Sequence, residues 1–196
     1  MRARLSLLLL LGVALPNGVA AQWSIAPELG VQSFGRSARD TAAGLDLGPT
    51  GGTAIGFRFA RTGMRMGIAL RFRYGTSGLA ATDGNLTVTQ EHAFKLYDLS
   101  SMASWRLARL GVGTTVQIEA GPVLSIWKAK GGESRTRVGA SAALALRIAM
   151  GPRYAAAMRV EGGLSPSVFD AADVPAGIER RAAWRRGVAI EIGRRF

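Results

Sequence analysis

The chain has no cysteine and a single histidine, His92. The first absence removes disulfides, thiolate nucleophiles and Cys-type metal centres together. The second leaves only scattered acids as metal ligands, without the spacing a site needs, so neither metal nor cofactor is expected. Acidic residues are few: 13 against 25 Lys and Arg, a formal charge of +12. That balance points to an anionic partner such as nucleic acid, a membrane surface or a polyanion. Charged residues make up only 19% and hydrophobic ones 48%, which argues against disorder over most of the chain. Beyond the N-terminus no apolar run approaches the roughly eighteen residues of a spanning helix. A membrane can then be crossed only by a closed barrel, since lipid leaves every backbone polar group to find an internal partner.

What is present begins with a basic flank, Arg2 and Arg4, and an apolar run from Leu5 to Leu15. Small residues Val19-Ala20-Ala21 follow, just before Gln22. This is the layout of a secretory signal peptide, expected to span 1–21 and to be removed, leaving one domain over 22–196. Export makes nucleic acid an improbable partner. Losing Arg2 and Arg4 lowers the charge only from +12 to +10, so the basicity belongs to the folded part.

From Trp23 onward a period of two takes over. Trp23, Ile25, Leu29 and Val31 oppose Ser24, Ala26, Glu28 and Gln32. Met64, Met66, Ile68, Leu70, Phe72 and Tyr74 oppose Gly67, Ala69, Arg71 and Arg73. The last thirteen residues repeat the pattern, with Trp184, Val188, Ile190, Ile192 and Phe196 on one parity. Alternation of this kind predicts β-strands with one apolar face. Eight strands are expected, the fourth (about 93–106) being the least regular because Leu96 and Met102 break its parity. Long loops are expected at 36–51, 75–92, 128–136 and 169–183, and short turns near 62, 110 and 152. Long and short connections alternate, as they do when an up-and-down barrel sorts them to opposite ends. The predicted fold is all-β, an eight-stranded antiparallel up-and-down transmembrane β-barrel. Pro27, Pro122 and Pro166 oppose it, because a closed barrel has no edge to hide a missing N–H.

The second parity is not a solvated face. It holds Gly, Ala and Ser with a few charges: Glu28, Arg58, Arg71, Arg73, Glu119, Arg147, Arg159, Glu161 and Glu191. The interior of an eight-stranded barrel is just wide enough to be filled by its own side chains. These nine are therefore predicted to form a paired polar interior, with the apolar parity facing lipid. Trp23, Tyr74, Tyr97, Trp105, Trp127, Tyr154, Trp184 and Phe196 near strand ends would make the interface girdles, although Trp127 falls on the inward parity by position.

At this point the sequence resembles the small eight-stranded outer-membrane barrels of the OmpA/OmpX type. The resemblance covers 22–196 and rests on the signal peptide, the strand-and-loop rhythm, the stretch Glu119-Ala120-Gly121-Pro122-Val123-Leu124 and the terminal Phe196. It implies residence in the cell outer membrane, a monomer in contact with outer-membrane lipids, and Phe196 as the insertion signal read by the barrel-assembly machinery. It says little about activity, since such barrels include adhesins, envelope anchors and lipid A enzymes. For an enzyme, His92 departs from the His-x-Ser pattern, the residue two positions on being Phe94, and no catalytic residue is assigned. Lys128, Lys130, Arg135 and Arg137 belong to one long loop, and Arg180 and Arg181, with Arg185 and Arg186, to another. If these loops face outward, the first four with Arg180 and Arg181 are candidates for contact with lipopolysaccharide phosphates. The expected role is structural or surface-interacting, with a narrow channel as the alternative and a lipid A-modifying enzyme behind it.

Overall fold

The computed structural model describes residues 22–172, 174 and 177–196; the predicted signal peptide lies outside them. Eleven strands follow in order: β1 (Gln22–Phe34), β2 (Ala38–Asp40), β3 (Leu45–Pro49), β4 (Gly52–Thr62), β5 (Met66–Asp83), β6 (Leu86–Gly111), β7 (Thr114–Ala129), β8 (Ser134–Ala149), β9 (Tyr154–Ser165), β10 (Ile178–Arg180) and β11 (Ala183–Arg195). Eight of them close a ring, β1-β4-β5-β6-β7-β8-β9-β11 and back to β1, each pair antiparallel. The short strands β10, β2 and β3 add a flap against the outer part of β5.

Which side faces out is set by the alternation. On β4, Ile55, Phe57 and Phe59 are exposed while Ala54, Arg58 and Ala60 are buried. The other ring strands repeat this, so the apolar parity forms the outer surface and the small and charged parity the inside. That is the inverse of a soluble barrel and the arrangement of one standing in lipid. Ring strands of 11 to 13 residues, such as β1, β4 and β11, suffice for a tilted crossing.

The short turns occupy 63–65, 112–113 and 150–153, at one end, together with Gln22 and Phe196. The long connections contain more structure than expected. Segment 36–51 holds β2 and β3, and 169–183 holds β10. The predicted loop 75–92 is instead a hairpin: β5 and β6 run on past the ring and join through Gly84-Asn85, with Asp83 paired to Leu86. Gly84 takes φ +50, and this two-residue turn needs a glycine there to match the strand twist. Apart from Leu79, which packs on the apolar cluster at the mouth, these outer residues touch neither lipid nor a core, so they carry no apolar parity. Where β6 enters the ring a bulge re-registers it, and His92 sits in it at φ 52. Leu96 and Met102 share the parity of Asp98, Ser100 and Ser104 and point inward with them.

Two prolines lie within ring strands, and the ladders yield to both. The β1–β11 ladder skips residues 26 and 27 between Ile25↔Arg194 and Glu28↔Glu191, while Pro27 stays aligned with Phe57 of β4. The β6–β7 ladder likewise skips residues 121 and 122 between Ser100↔Val123 and Ala103↔Ala120, while Pro122 stays aligned with Ala140 of β8. Each missing N–H falls in a gap two residues long on one side only. Pro166 follows the end of β9.

Candidate functional site

The interior is the site the strands build. Glycine and alanine on the inward parity make room for longer neighbours. A Cβ on Gly56 would lie 2.8 Å from Cγ of Arg73, and one on Gly187 3.3 Å from Oε1 of Glu161. Into that space project Arg58, Arg71, Arg73, Arg159 and Arg185 against Glu28, Asp98, Glu119, Glu161 and Glu191, five cations and five anions, all buried. Arg185 and Arg73 both pair with Asp98, the latter at 3.2 Å. Arg73 and Arg71 share Glu161, and Arg71 also grips Glu28. Arg159, only 1% exposed, then joins Glu28 at 3.3 Å, Glu119 at 2.9 Å and Glu191 at 3.3 Å. Arg58 closes the series on Glu119 at 2.8 Å and Glu191 at 3.7 Å. Ser125 donates to the free oxygen of Asp98 at 2.6 Å. The result is one continuous, neutral ladder of ion pairs.

Of the nine charges expected inside, eight are in this ladder. Arg147 also points inward but lies nearer the short turns, where its Nη1 donates to Thr62 Oγ1 at 3.2 Å. Asp98 lies on the polar parity with Ser100 and Ser104, opposite Tyr97 and Leu99, and joins the ladder although it was not among the nine. Arg185, at the base of a basic loop, shares the parity of Glu191 and turns inward as that parity implies. The signal for both was a charge in register with known inward positions.

Above the ladder, at the long-loop end, lies an apolar cap. Leu96 (0% exposed), Phe94, Trp127 (3%), Val168, Phe169 and Ala183 form a buried cluster, with Phe34 and Leu79 packed against it. Phe34 and Phe94 meet the Trp127 ring edge-on, at 5.1 and 5.9 Å between centroids. Trp127 therefore does not belong to a girdle, which corrects that assignment. Girdle aromatics at the short-turn end include Trp23 stacked on Phe59 at 4.8 Å, with Arg61 over the indole at 5.5 Å. Phe196 ties its backbone N–H to the Trp23 carbonyl at 2.9 Å.

The basic loop residues divide into two groups. Lys128 and Lys130 line one groove with Lys95 and His92. Arg137, Arg180 and Arg181 line another, which also contains Asp170. Arg135 and Arg137 both pair with Asp170, at 3.2 and 2.7 Å, pinning the connection after β9 across the mouth. The hydrogen bond from Arg137 and the neighbouring guanidinium charges hold the Asp170 carboxyl below its ordinary range. His92 is exposed, whereas Ser100 is buried eight residues further along β6, on the order of 25 Å at strand rise. Nothing in this arrangement resembles a catalytic triad. Among the described residues no group of three or more His, Asp or Glu is placed to hold a metal.

Charge is distributed unequally along the barrel. Outside the neutral interior, the segments at the long-loop end carry ten basic and seven acidic residues among the described ones. The short-turn end carries eight arginines and no acid. Arg61 and Arg65 flank the first turn, Arg106 and Arg109 the second, Arg147 and Arg153 the third, and Arg194 and Arg195 end β11. Most of the net charge therefore sits at one mouth.

No protein-family model and no curated protein sequence matches the chain. Solved structures do. The outer membrane protein OprG from Pseudomonas aeruginosa superposes with a TM-score of 0.63 at 11% identity, over 90% of this chain and 96% of that one. The chain folds as a small outer-membrane β-barrel. Neisserial surface protein A matches the same barrel at a TM-score of 0.55 and 11% identity, over 88% and 98%. At such identities the likeness is one of fold. The short-turn end is accordingly the periplasmic end and the long-loop end the outer one, in the usual orientation of such barrels.

Proposed function

We propose that this protein is an integral outer-membrane barrel with a structural and surface-interacting role and no catalytic activity. The observation that carries this reading is the filled lumen: a neutral ion-pair ladder through the middle and an apolar cap of Trp127, Phe169 and Leu96 over it. Against a path for solutes stand both the pairing, which leaves each charge of the ladder partnered, and the cap, which bars ions from the outer mouth. Insertion through Phe196 and the barrel-assembly machinery, and a monomeric state, belong to the same proposal.

On the outer side, contact with lipopolysaccharide phosphates falls first to Lys128 and Lys130. Their groove, about 360 Å³, contains a third lysine, Lys95, and no carboxylate among its lining residues. Arg180 and Arg181 are secondary candidates, and Arg135 and Arg137 are already engaged with Asp170. Titrating the folded barrel with lipopolysaccharide, with and without Lys128→Gln/Lys130→Gln, tests the contact. A loss of about tenfold in affinity is expected; identical curves would remove the lysine groove from the account. Lipid A mass spectra that change on overexpression, and revert with His92→Ala, would overturn the non-catalytic reading.

A further inference from the structure

The periplasmic mouth opens into a vestibule of about 710 Å³ lined by Arg106, Arg109, Arg147 and Arg195. No Asp or Glu is among its lining residues, although Gln22, Gln117, Thr62 and Thr115 are. The protein fixes three of these guanidinium groups without neutralising them. Arg106 Nη2 donates to the Gly63 carbonyl at 3.4 Å, Arg147 Nη1 to Thr62 Oγ1 at 3.2 Å, and Arg195 Nη2 to the carbonyls of Gly151 and Tyr154 at 2.6 and 2.9 Å. Each tie engages one nitrogen of a five-donor fork. The Nε atoms of Arg106 and Arg195 are buried and have no acceptor.

Like charges gathered in one cavity repel, and buried donors without acceptors are unfavourable; an anion in the vestibule relieves both. We propose that it is a binding site for a phosphate-bearing anion, either a soluble phosphorylated molecule or the headgroup of an anionic phospholipid at the inner surface of the membrane. Phosphate fits better than a single carboxylate because several converging forks need several acceptor oxygens and more than one negative charge. The volume is that of a small-molecule site rather than of a lone ion, so the ligand carries two phosphates or one on an organic body. No aromatic side chain lines the cavity, so it offers no platform on which nucleobases would stack.

The test uses the full chain folded in maltoside micelles, which contain no phosphate, with inorganic pyrophosphate as the probe and arginine Nε–H resonances and calorimetry as readouts. Saturable binding is expected, with shifts at Arg106 and Arg195. Arg106→Gln/Arg147→Gln should weaken it at least about tenfold, and Arg39→Gln at the far mouth, where Arg39 pairs with Asp46, should not. Should the double variant fail to fold, Arg109→Gln, whose side chain bridges no strands, carries the same expectation at smaller size. Repeating the titration in nanodiscs containing phosphatidylglycerol separates the sources. Weakened pyrophosphate binding there identifies the headgroup as occupant, and unchanged binding identifies a soluble ligand. Absence of saturable binding in micelles, or binding indifferent to Arg106, Arg147 and Arg109, would overturn the proposal.

Discussion

Arg159 and Arg147 both point into the same barrel, from neighbouring strands, yet their situations are opposite. Arg159 meets three carboxylates and is almost wholly enclosed. Arg147 meets a threonine hydroxyl and faces a cavity shared with three other arginines. The same contrast separates the middle of the barrel from its periplasmic mouth. What distinguishes them is counter-charge, neither residue type nor inward direction. Where the fold supplies the acid, arginine fills and braces the lumen. Where it does not, the guanidinium remains able to bind something else.

The largest expected effect comes from breaking the paired region. Arg159→Met strands Glu28, Glu119 and Glu191 with too few cations. Removing one member of a buried pair costs about 3–5 kcal/mol. Urea unfolding of the micelle-folded barrel, followed by tryptophan fluorescence, should show it, with loss of the fast-migrating unboiled band on gels.

Next comes Trp127→Ala, which opens the cap and leaves the charges intact. A cavity of that size in a packed cluster costs about 3 kcal/mol. The midpoint should fall, while the periplasmic vestibule binds pyrophosphate as before. Coupled loss of both would mean that the two ends are not independent.

Arg147→Gln sharpens the comparison from the other side. With no carboxylate to leave behind, it should change stability by about 1 kcal/mol or less, in the range of exposed ion pairs. Its effect belongs in anion binding. A destabilisation as large as that of Arg159→Met would erase the distinction drawn between the two regions.

The smallest effect is local, at the outer mouth. The Asp170 carboxyl is held below its ordinary range by Arg137, so its contribution is complete above the ordinary aspartate pKa. It fades only as pH falls through the lowered folded value. Hydrogen-exchange protection factors around residues 167–170, with the intrinsic pH dependence of exchange divided out, should therefore stay high near neutral pH and fall only in acid below the ordinary aspartate range. Asp170→Asn should remove that dependence without moving the global midpoint.

The ring was legible in the sequence because lipid and lumen impose opposite demands on alternate residues. Ile55 to Phe59 and Met64 to Tyr74 state this plainly. The hairpin beyond the ring was not legible: Thr87, Val88, Thr89 and Gln90 form a strand by backbone pairing alone, with no buried face to write a pattern. The interior set was visible by parity, Asp98 included, since it alternates with Tyr97 and Leu99; the apolar Leu96 and Met102 on the same parity made its strand look irregular. The cap was invisible, since Phe34, Leu96, Trp127 and Phe169 come from separate segments and meet only in the fold. The arginine mouth left a trace that was missed. Each short turn is flanked by arginine and none by an acid, which becomes meaningful once the three turns are known to share one end.

Planar-bilayer recording tests most directly whether the paired interior is a plug. The reconstituted barrel should give no unitary conductance steps in molar salt, and Trp127→Ala, which removes the cap but not the ladder, should remain silent too. Reproducible ion-selective steps from the unmodified protein would contradict the account, because they would mean that the arginine and glutamate ladder lines a path.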